Sequence, residues 1–373
     1  MTEYWNGLYG QDLVKNLLES LIKSEKVPHA LLFSGIEGTG KDFFAIRFAQ
    51  ALIKASSAAE KDTIVNQIGN LCEPYFKYII PLPRGKNETD DSGPVDKLSN
   101  EEIQTLREEL NKKIVNPYYN IKIPKANNIK ISSIRDIKKF VSFNYDDIPY
   151  RVIVISGAHL MNEEAQNALL KSLEEPPEGV IFILTTPYPG ILRETIRSRC
   201  WIINFQPLID SDIKSILTEY FDFDNELAGM IAPFAMGSAT NALNLNEHEF
   251  IKVLDKTIFL LRYSFGRRYH SALNEILPYV TEGGADSVKL LIQMIIIWLN
   301  DLQKLRYKEG NIFFKSHLET LEKFNVRFPD LQLNETVAKL DKFSSLIAGN
   351  INLNLIALNI VIELASLTIR PKK

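Results

Sequence analysis

Hydrophobic positions along the chain fall into two regimes that change at Pro207. Before it, short apolar or β-branched runs at 30–33, 151–155, 180–184 and 201–205 alternate with segments of helical period. Runs without polar alternation are the signature of strands buried on both faces of a parallel sheet. Between them, residues 11–25 carry Leu13, Leu17, Leu18 and Leu21 at helical spacing and end before Pro28, which predicts an amphipathic helix covering the loop after the first strand. Residues 43–53 predict a second helix, and Ile134, Ile137 and Val141 mark another. Asn162 is placed to cap a helix bearing Ala165, Leu169, Leu170 and Leu173, stopped by Pro176 and Pro177. A short helix follows Pro189. Strands alternating with helices predict an α/β domain over residues 1–207.

Within that domain the stretch from about 55 to 130 has weak periodicity and reads as an irregular insert. It offers a strand at 78–82 and a helix at 100–113 with Ile103, Leu106 and Leu110, and its Pro- and Gly-punctuated middle, 81–94, is expected to be mobile. After Pro207, strand runs cease. Helical patterns at 210–221, 225–235 and 238–245 predict a small helical domain at 208–247, and longer ones at 250–265, 287–307, 337–347 and 352–367 predict an all-helical domain at 248–373.

The chemistry of the first domain concentrates in Gly35-Ile36-Glu37-Gly38-Thr39-Gly40-Lys41-Asp42, between the first strand and the helix at 43–53. Strand, glycine-rich loop and helix in that order make a phosphate cradle, with glycines allowing close backbone approach and Lys41 reaching terminal phosphates. Gly35, Gly38, Thr39, Gly40, Lys41 and Asp42 are therefore the candidate nucleotide-binding residues. The hydroxyl that would hold Mg²⁺ after the lysine is replaced by Asp42. A carboxylate about 4 Å from a phosphate charge opposes it by roughly 4 kcal/mol at an effective dielectric near 20, and both Glu37 and Asp42 flank the cradle. Asp42 suits the helix N-terminus and is expected to pair with Lys41 in an empty loop. The alternative is a glycine-rich turn that never meets phosphate.

Composition narrows the classes. A chain of 373 residues has room for two or three domains, and its formal charge of −3 argues against nucleic-acid binding by bulk electrostatics. Lys122, Lys125 and Lys130 are read as a solvated surface in preference to a nucleic-acid strip. Cys72 and Cys200 lack CxxC spacing, so neither a Cys₄ zinc site nor a disulfide framework is expected, which fits a reduced cytoplasm. Met1-Thr2-Glu3-Tyr4-Trp5 lacks the charge and apolar pattern of a signal peptide, and the apolar run 290–299 is too short for a membrane span.

Three segments in order, Pro28-His29-Ala30-Leu31-Leu32-Phe33-Ser34-Gly35, Asn167-Ala168-Leu169-Leu170-Lys171-Ser172-Leu173-Glu174-Glu175-Pro176-Pro177 and Thr195-Ile196-Arg197-Ser198-Arg199-Cys200, resemble the bacterial DNA polymerase III clamp-loader family, an AAA+ assembly. The resemblance covers roughly residues 5–245 and implies a P-loop AAA+ domain with a parallel sheet, a helical lid at 208–247 and a helical oligomerisation collar at 248–373. The family's motor subunits, gamma or tau, bind and hydrolyse ATP, whereas its delta prime subunit is a stator. The motor has acidic residues after the strand where this chain has Ile155-Ser156-Gly157-Ala158-His159, and an arginine that senses the γ-phosphate where this chain has Thr240 in Gly237-Ser238-Ala239-Thr240-Asn241-Ala242-Leu243. The zinc cluster usual after the P-loop helix is missing, with Cys72 alone. The resemblance thus implies a delta prime-like subunit with little ATPase of its own, vestigial ATP or ADP binding at most, and no zinc. A catalytically active motor, with Asp42 ligating Mg²⁺, is the alternative.

His159 is read as structural rather than as a replacement base, and Thr185 and Thr186 as groups within reach of a phosphate. Ser198-Arg199-Cys200 resembles the family's trans-acting finger, in which Arg199 reaches the ATP of the adjoining subunit; its other reading is a surface ion pair. Implied partners are gamma or tau and delta subunits, with the sliding clamp and primer-template DNA met through the complex. No membrane partner is implied.

Overall fold

The structure, a computed structural model, describes residues 4–58, 60–89, 92–142, 149–247, 250–329, 331, 333–347 and 352–369. Met1 to Glu3 and the pair Asp90 and Asp91 from the stretch expected to be mobile lie outside the described residues. The chain divides into two compact units, Met1–Asn241 and Ala242–Lys373.

The first unit is built on a five-stranded sheet with the order β2-β3-β4-β1-β5, every neighbouring pair parallel. The strands are β1 Ala30–Ser34, β2 Phe76–Ile79, β3 Arg151–Ile155, β4 Val180–Thr186 and β5 Trp201–Asn204. β1, β3 and β4 are buried at every position, as continuous apolar runs require. On one face, Ile134, Ile137 and Phe140 of α5 (Ile131–Ser142) and Ala165, Leu169 and Leu173 of α6 (Glu163–Glu174) share a core with Leu32, Ile153 and Phe182. Asn162 caps α6 by accepting from the Ala165 amide at 2.9 Å, and the prolines end it, as expected. Against the sheet also packs α2 (Lys41–Ala55), where Phe33, Phe44 and Phe205 meet at ring distances of 5.1 and 5.2 Å. The alternation thus resolves into a layered α/β unit.

Several elements differ in detail from the sequence expectation. α1 (Asp12–Ser24) packs on α2, and its inward face is Val14, Leu18, Leu21 and Ile22, leaving Leu13 80% exposed. β2 begins and ends earlier than 78–82: Phe76 and Ile79 point inward in register with Val152 and Ile155, and Pro81 has no N–H to extend a ladder. β4 runs on to Thr186. The 55–130 stretch is less irregular than its weak periodicity suggests: α3 (Lys61–Gly69) buries Ile64 and Ile68, and α4 (Asn100–Val115) opens on a capping box between Ser99 and Glu102. After β4 come α7 (Glu194–Arg197), β5, α8 (Asp210–Tyr220) and α9 (Asn225–Ile231), and the division between units falls inside α10 (Ala239–Glu247).

The elements of the second unit are all helices among the described residues. They include α11 (Phe250–Phe265), α12 (Tyr269–Thr281), α13 (Gly284–Tyr307), α14 (Leu318–Arg327), α15 (Leu333–Ile347) and α16 (Leu353–Ser366). The long α13 packs against α11, α12, α14, α15 and α16, with Trp298 buried 5.6 Å from the ring of Phe265 and 5.2 Å from that of Phe324. Asp301 is buried in α13, where its carboxylate accepts the amides of Phe313 and Phe314, each at 2.8 Å. α12 escapes a periodicity reading because Pro278 interrupts it. Among the described residues no helix is long and apolar enough to cross a membrane.

Candidate functional site

The loop after β1 has the conformation its glycines permit. Gly38 and Gly40 take φ of 73° and 83°, and a Cβ on Gly38 would stand 2.4 Å from the Thr240 amide nitrogen. Ala239 N–H donates to the Gly38 carbonyl at 3.2 Å, so the segment resembling the family's γ-phosphate sensor abuts the loop. Thr39 is buried and its hydroxyl donates to the Ile36 carbonyl at 3.0 Å. Lys41 opens α2 and turns its ammonium into the loop, donating to the carbonyls of Gly35 at 2.7 Å and Ile36 at 2.6 Å. Burial pulls its pKa down to about 8, against the opposing pull of Asp42 and Glu37.

Asp42 does not find its partner in Lys41, contrary to the sequence expectation. Its Oδ2 accepts from Tyr78 Oη at 3.0 Å and Ser156 Oγ at 2.7 Å, its Oδ1 accepts from Thr185 Oγ1 at 2.7 Å, and its ion pair is with Lys113 at 4.0 Å. The reason lies in the parallel sheet. Tyr78 in β2, Ser156 just after β3 and Thr185 in β4 come to the same edge as the start of α2, and their hydroxyls converge on one carboxylate. Burial works against the charge on Asp42, but Lys113 and the hydroxyls of Ser156, Thr185 and Tyr78 outweigh it and hold the carboxyl below its usual value of 3.8. A carboxyl with a depressed folded pKa contributes stability above its unfolded pKa, and that contribution disappears as pH falls through the folded value. Asp42→Asn is therefore expected to lose less stability than the parent below about pH 4, read by urea unfolding at a series of pH values.

Lys113 is the group that sequence reasoning missed. It lies in α4, its side chain is 6% exposed, and it donates to the carbonyls of Pro117 at 2.7 Å and Tyr119 at 2.8 Å as well as facing Asp42. One turn earlier Glu109 is also buried, accepting from Tyr119 Oη, the Lys122 amide and Lys112. Burial lowers the Lys113 pKa while Asp42 opposes the shift, and the side-chain nitrogen is surrounded by acceptors. The only sequence signal was a Glu–Lys pair at i, i+4, which ordinarily marks a solvated helix face.

These groups line a cavity of about 280 Å³ together with Gly38, Gly40, His159 and Thr240. That is just under the roughly 300–1,000 Å³ usual for small-molecule sites. His159 Nδ1 is buried without a hydrogen-bond partner among the described residues, and burial, then Lys41, lowers its pKa, which keeps the imidazole neutral. Thr186 is committed elsewhere, its hydroxyl accepting the Tyr188 amide at 3.0 Å. Among the described residues no group of three or more His, Cys, Asp or Glu is placed to hold a metal ion.

Arg199 lies apart from this cluster. β5 runs parallel to β1, with Trp201 opposite Leu31 and Asn204 opposite Ser34, so Arg199 precedes the strand at the end of the sheet away from the loop. About four strand residues, roughly 13 Å, separate the two ends. Arg199 donates to the Thr195 carbonyl and to Glu174 Oε1, both at 2.9 Å, and the two charged side chains are 35% and 47% exposed. The surface ion pair weighed from sequence is thus present, and its acid comes from the Leu173-Glu174-Glu175-Pro176-Pro177 segment. Ser198 Oγ donates to the Thr195 carbonyl at 3.3 Å, and buried Cys200 has its thiol pKa pushed up to about 12, which leaves it unreactive.

Several known proteins are similar to this chain. The DNA polymerase III subunit tau of Bacillus subtilis is 29% identical over 89% of this chain and 56% of its own length. The DNA polymerase III subunit delta' of the same organism is 26% identical over 82% of this chain and 84% of its own. The gamma subunit of Buchnera aphidicola subsp. Schizaphis graminum is 29% identical over 65% and 57% respectively, so the chain spans little more than half the length of these tau and gamma relatives. A solved DNA polymerase III, gamma subunit-related protein from Thermotoga maritima aligns over 94% of this chain and 99% of its own at 16% identity and a TM-score of 0.45. Tau, gamma and delta' relatives match alike and do not choose among subunit types. Residues 10–209, more than half of the chain, match the family described as DNA polymerase III, delta subunit, and the chain belongs to that clamp-loader family.

Proposed function

We propose that this chain is a delta prime-like stator of a DNA polymerase III clamp loader: it turns over little or no ATP itself and supplies Arg199 to the ATP site of an adjoining gamma or tau subunit. The observation that carries this reading is the engagement of Asp42. Where Mg²⁺–ATP needs a hydroxyl, a metal-positioning carboxylate and free polar groups at the strand ends, the carboxylate of Asp42 already takes Lys113 and the hydroxyls of Tyr78, Ser156 and Thr185. Mg²⁺ would have to displace an ammonium, and the residues do not fit it. Phosphoryl transfer to water rests on a held metal, an oriented nucleophile and cations around the γ-phosphate, and residues 155–159 at the end of β3 hold no carboxylate to orient water.

Arg199 suits a role in trans because its end of the sheet faces away from its own loop. Leaving Glu174 to meet a phosphate sacrifices a surface pair, worth about 0–1 kcal/mol, and one exposed bond to the Thr195 carbonyl. A delta subunit, the sliding clamp and primer-template DNA complete the proposed assembly, with vestigial nucleotide binding at most.

Similarity to tau and gamma favours a second reading, an active motor with Asp42 as the metal ligand. Steady-state ATP turnover of the isolated chain separates the two. Turnover at background level is expected; Mg²⁺-dependent hydrolysis abolished by Lys41→Ala would establish the motor instead.

A further inference from the structure

Next to the phosphate loop the first unit contains a slot of the kind that holds a flat heteroaromatic ring, and the chain fills it with its own Tyr118. The Tyr118 side chain is 7% exposed. Its ring stands edge-on to Phe43, in the first turn of α2, at 5.7 Å, and tilted by 57° against Tyr220 at 5.1 Å. It lies so close to the loop that a Cβ on Gly40 would be 3.1 Å from its Cε1. At the rim, the Tyr118 oxygen accepts the backbone N–H of Tyr9 at 2.9 Å. Aromatic walls and a main-chain donor at the edge are how proteins hold nucleobases, whose faces stack and whose ring nitrogens accept such an N–H.

The ring is held there by design of its own segment. Asn116, at the end of α4, donates through Nδ2 to the Tyr220 carbonyl at 2.7 Å and accepts the Tyr118 amide on Oδ1 at 3.0 Å. Lys113 binds the carbonyls on either side of Tyr118, those of Pro117 and Tyr119, while its ammonium faces Asp42. One short stretch therefore presents a cation to the phosphate-loop carboxylate and an aromatic ring with an acceptor to the neighbouring slot. We propose that residues 113–121 are a built-in occupant of the nucleotide site, with Tyr118 in the position of the base and the Lys113 ammonium in that of the metal. The proposal deepens the stator reading and rests on its view of the loop as a degenerate nucleotide site, and it states what excludes the nucleotide: the chain itself, as well as the lost catalytic groups.

Adenosine is the probe that isolates the slot, since it carries no phosphate for Asp42 or Glu37 to repel. Titrated into the full chain and followed by ligand-observed NMR, it is expected to bind Tyr118→Ala roughly tenfold or more tightly than the parent, the scale of one base stacked in an aromatic slot. Tyr118→Phe keeps the ring in place and is expected to show no such gain. If Tyr118→Ala does not fold, Asn116→Ala, which cuts the strap to Tyr220 and the bond to the Tyr118 amide but keeps the ring, carries the same prediction with a gain of roughly threefold, a fraction of the stacking effect. A folded Tyr118→Ala or Asn116→Ala chain that binds adenosine no better than the parent overturns the proposal. So does a parent chain that binds adenosine saturably with Tyr118 still in place. Either result leaves the stator reading standing, because that reading is decided by turnover and not by base binding.

Discussion

Asp42→Ala is expected to destabilise the chain by about 3 kcal/mol, the low end of the range for removing one partner of a buried ion pair. The low end applies because the Asp42 side chain is 20% exposed and Lys113 keeps two carbonyl acceptors. The loss nonetheless exceeds that of an ordinary surface charge. It strands an ammonium that is 6% exposed and leaves the hydroxyls of Tyr78, Ser156 and Thr185 without their common acceptor. In thermal unfolding the transition of the first unit should fall by roughly 6–12 °C. Lys113→Met in the same chain should recover part of the loss, since an apolar side chain of similar length removes the stranded charge. A double-mutant cycle between the two positions should return a coupling of at least about 1 kcal/mol. Additive single effects would mean that Asp42 and Lys113 do not act on each other.

Arg199→Ala is expected to leave the fold and the assembly intact and to lower the ATP turnover of a reconstituted clamp loader by roughly 10³-fold at the site it serves, the lower end of what a trans arginine contributes to phosphoryl transfer. Where several sites fire in one ring, the observed fall is limited to the share of turnover that passes through that site. The side chain is tethered only by Glu174 and the Thr195 carbonyl at a partly exposed surface, so its removal opens no cavity and breaks no core. Arg199→Lys should restore only part of the activity, because an ammonium keeps the charge but not the planar pair of donors. Glu174→Ala is the informative companion. It frees the arginine without removing it and should leave turnover at or above the parent level.

The sheet was legible because β1, β3 and β4 are buried on both faces and so are apolar along most of their length; Ala30 to Phe33, Val152 to Ile155 and Val180 to Leu184 announce that. The phosphate loop was legible because its glycines are there for backbone reasons, as the positive φ at Gly38 and Gly40 shows. The partners of Asp42 were not. Tyr78, Lys113 and Thr185 are far apart in the chain and each is unexceptional in its own neighbourhood; the parallel register brings Tyr78 and Thr185 to one edge, and α4 brings Lys113 to the same carboxylate. α4 shows the point most sharply. Its apolar positions Ile103, Leu106 and Leu110 are only partly buried, while the buried positions are the charged Glu109 and Lys113. A rule that sends apolar residues inward and charges outward places that helix but not the two buried charges beside its apolar stripe. Asp42 therefore meets Lys113, an ammonium that the pattern assigns to solvent, while Lys41 turns to the loop carbonyls. For Arg199 both sequence readings share one geometry, a tethered surface arginine, and the pair with Glu174 does not separate them.

The most direct test of the central claim compares two substitutions in one reconstituted clamp loader on primed DNA with clamp: Lys41→Met, in this chain's own loop, and Arg199→Ala, at the far end of its sheet. If the cradle is closed on itself and the arginine serves a neighbour, Lys41→Met leaves ATP turnover unchanged and Arg199→Ala lowers it steeply. Turnover that falls with Lys41→Met and is indifferent to Arg199→Ala would contradict the account.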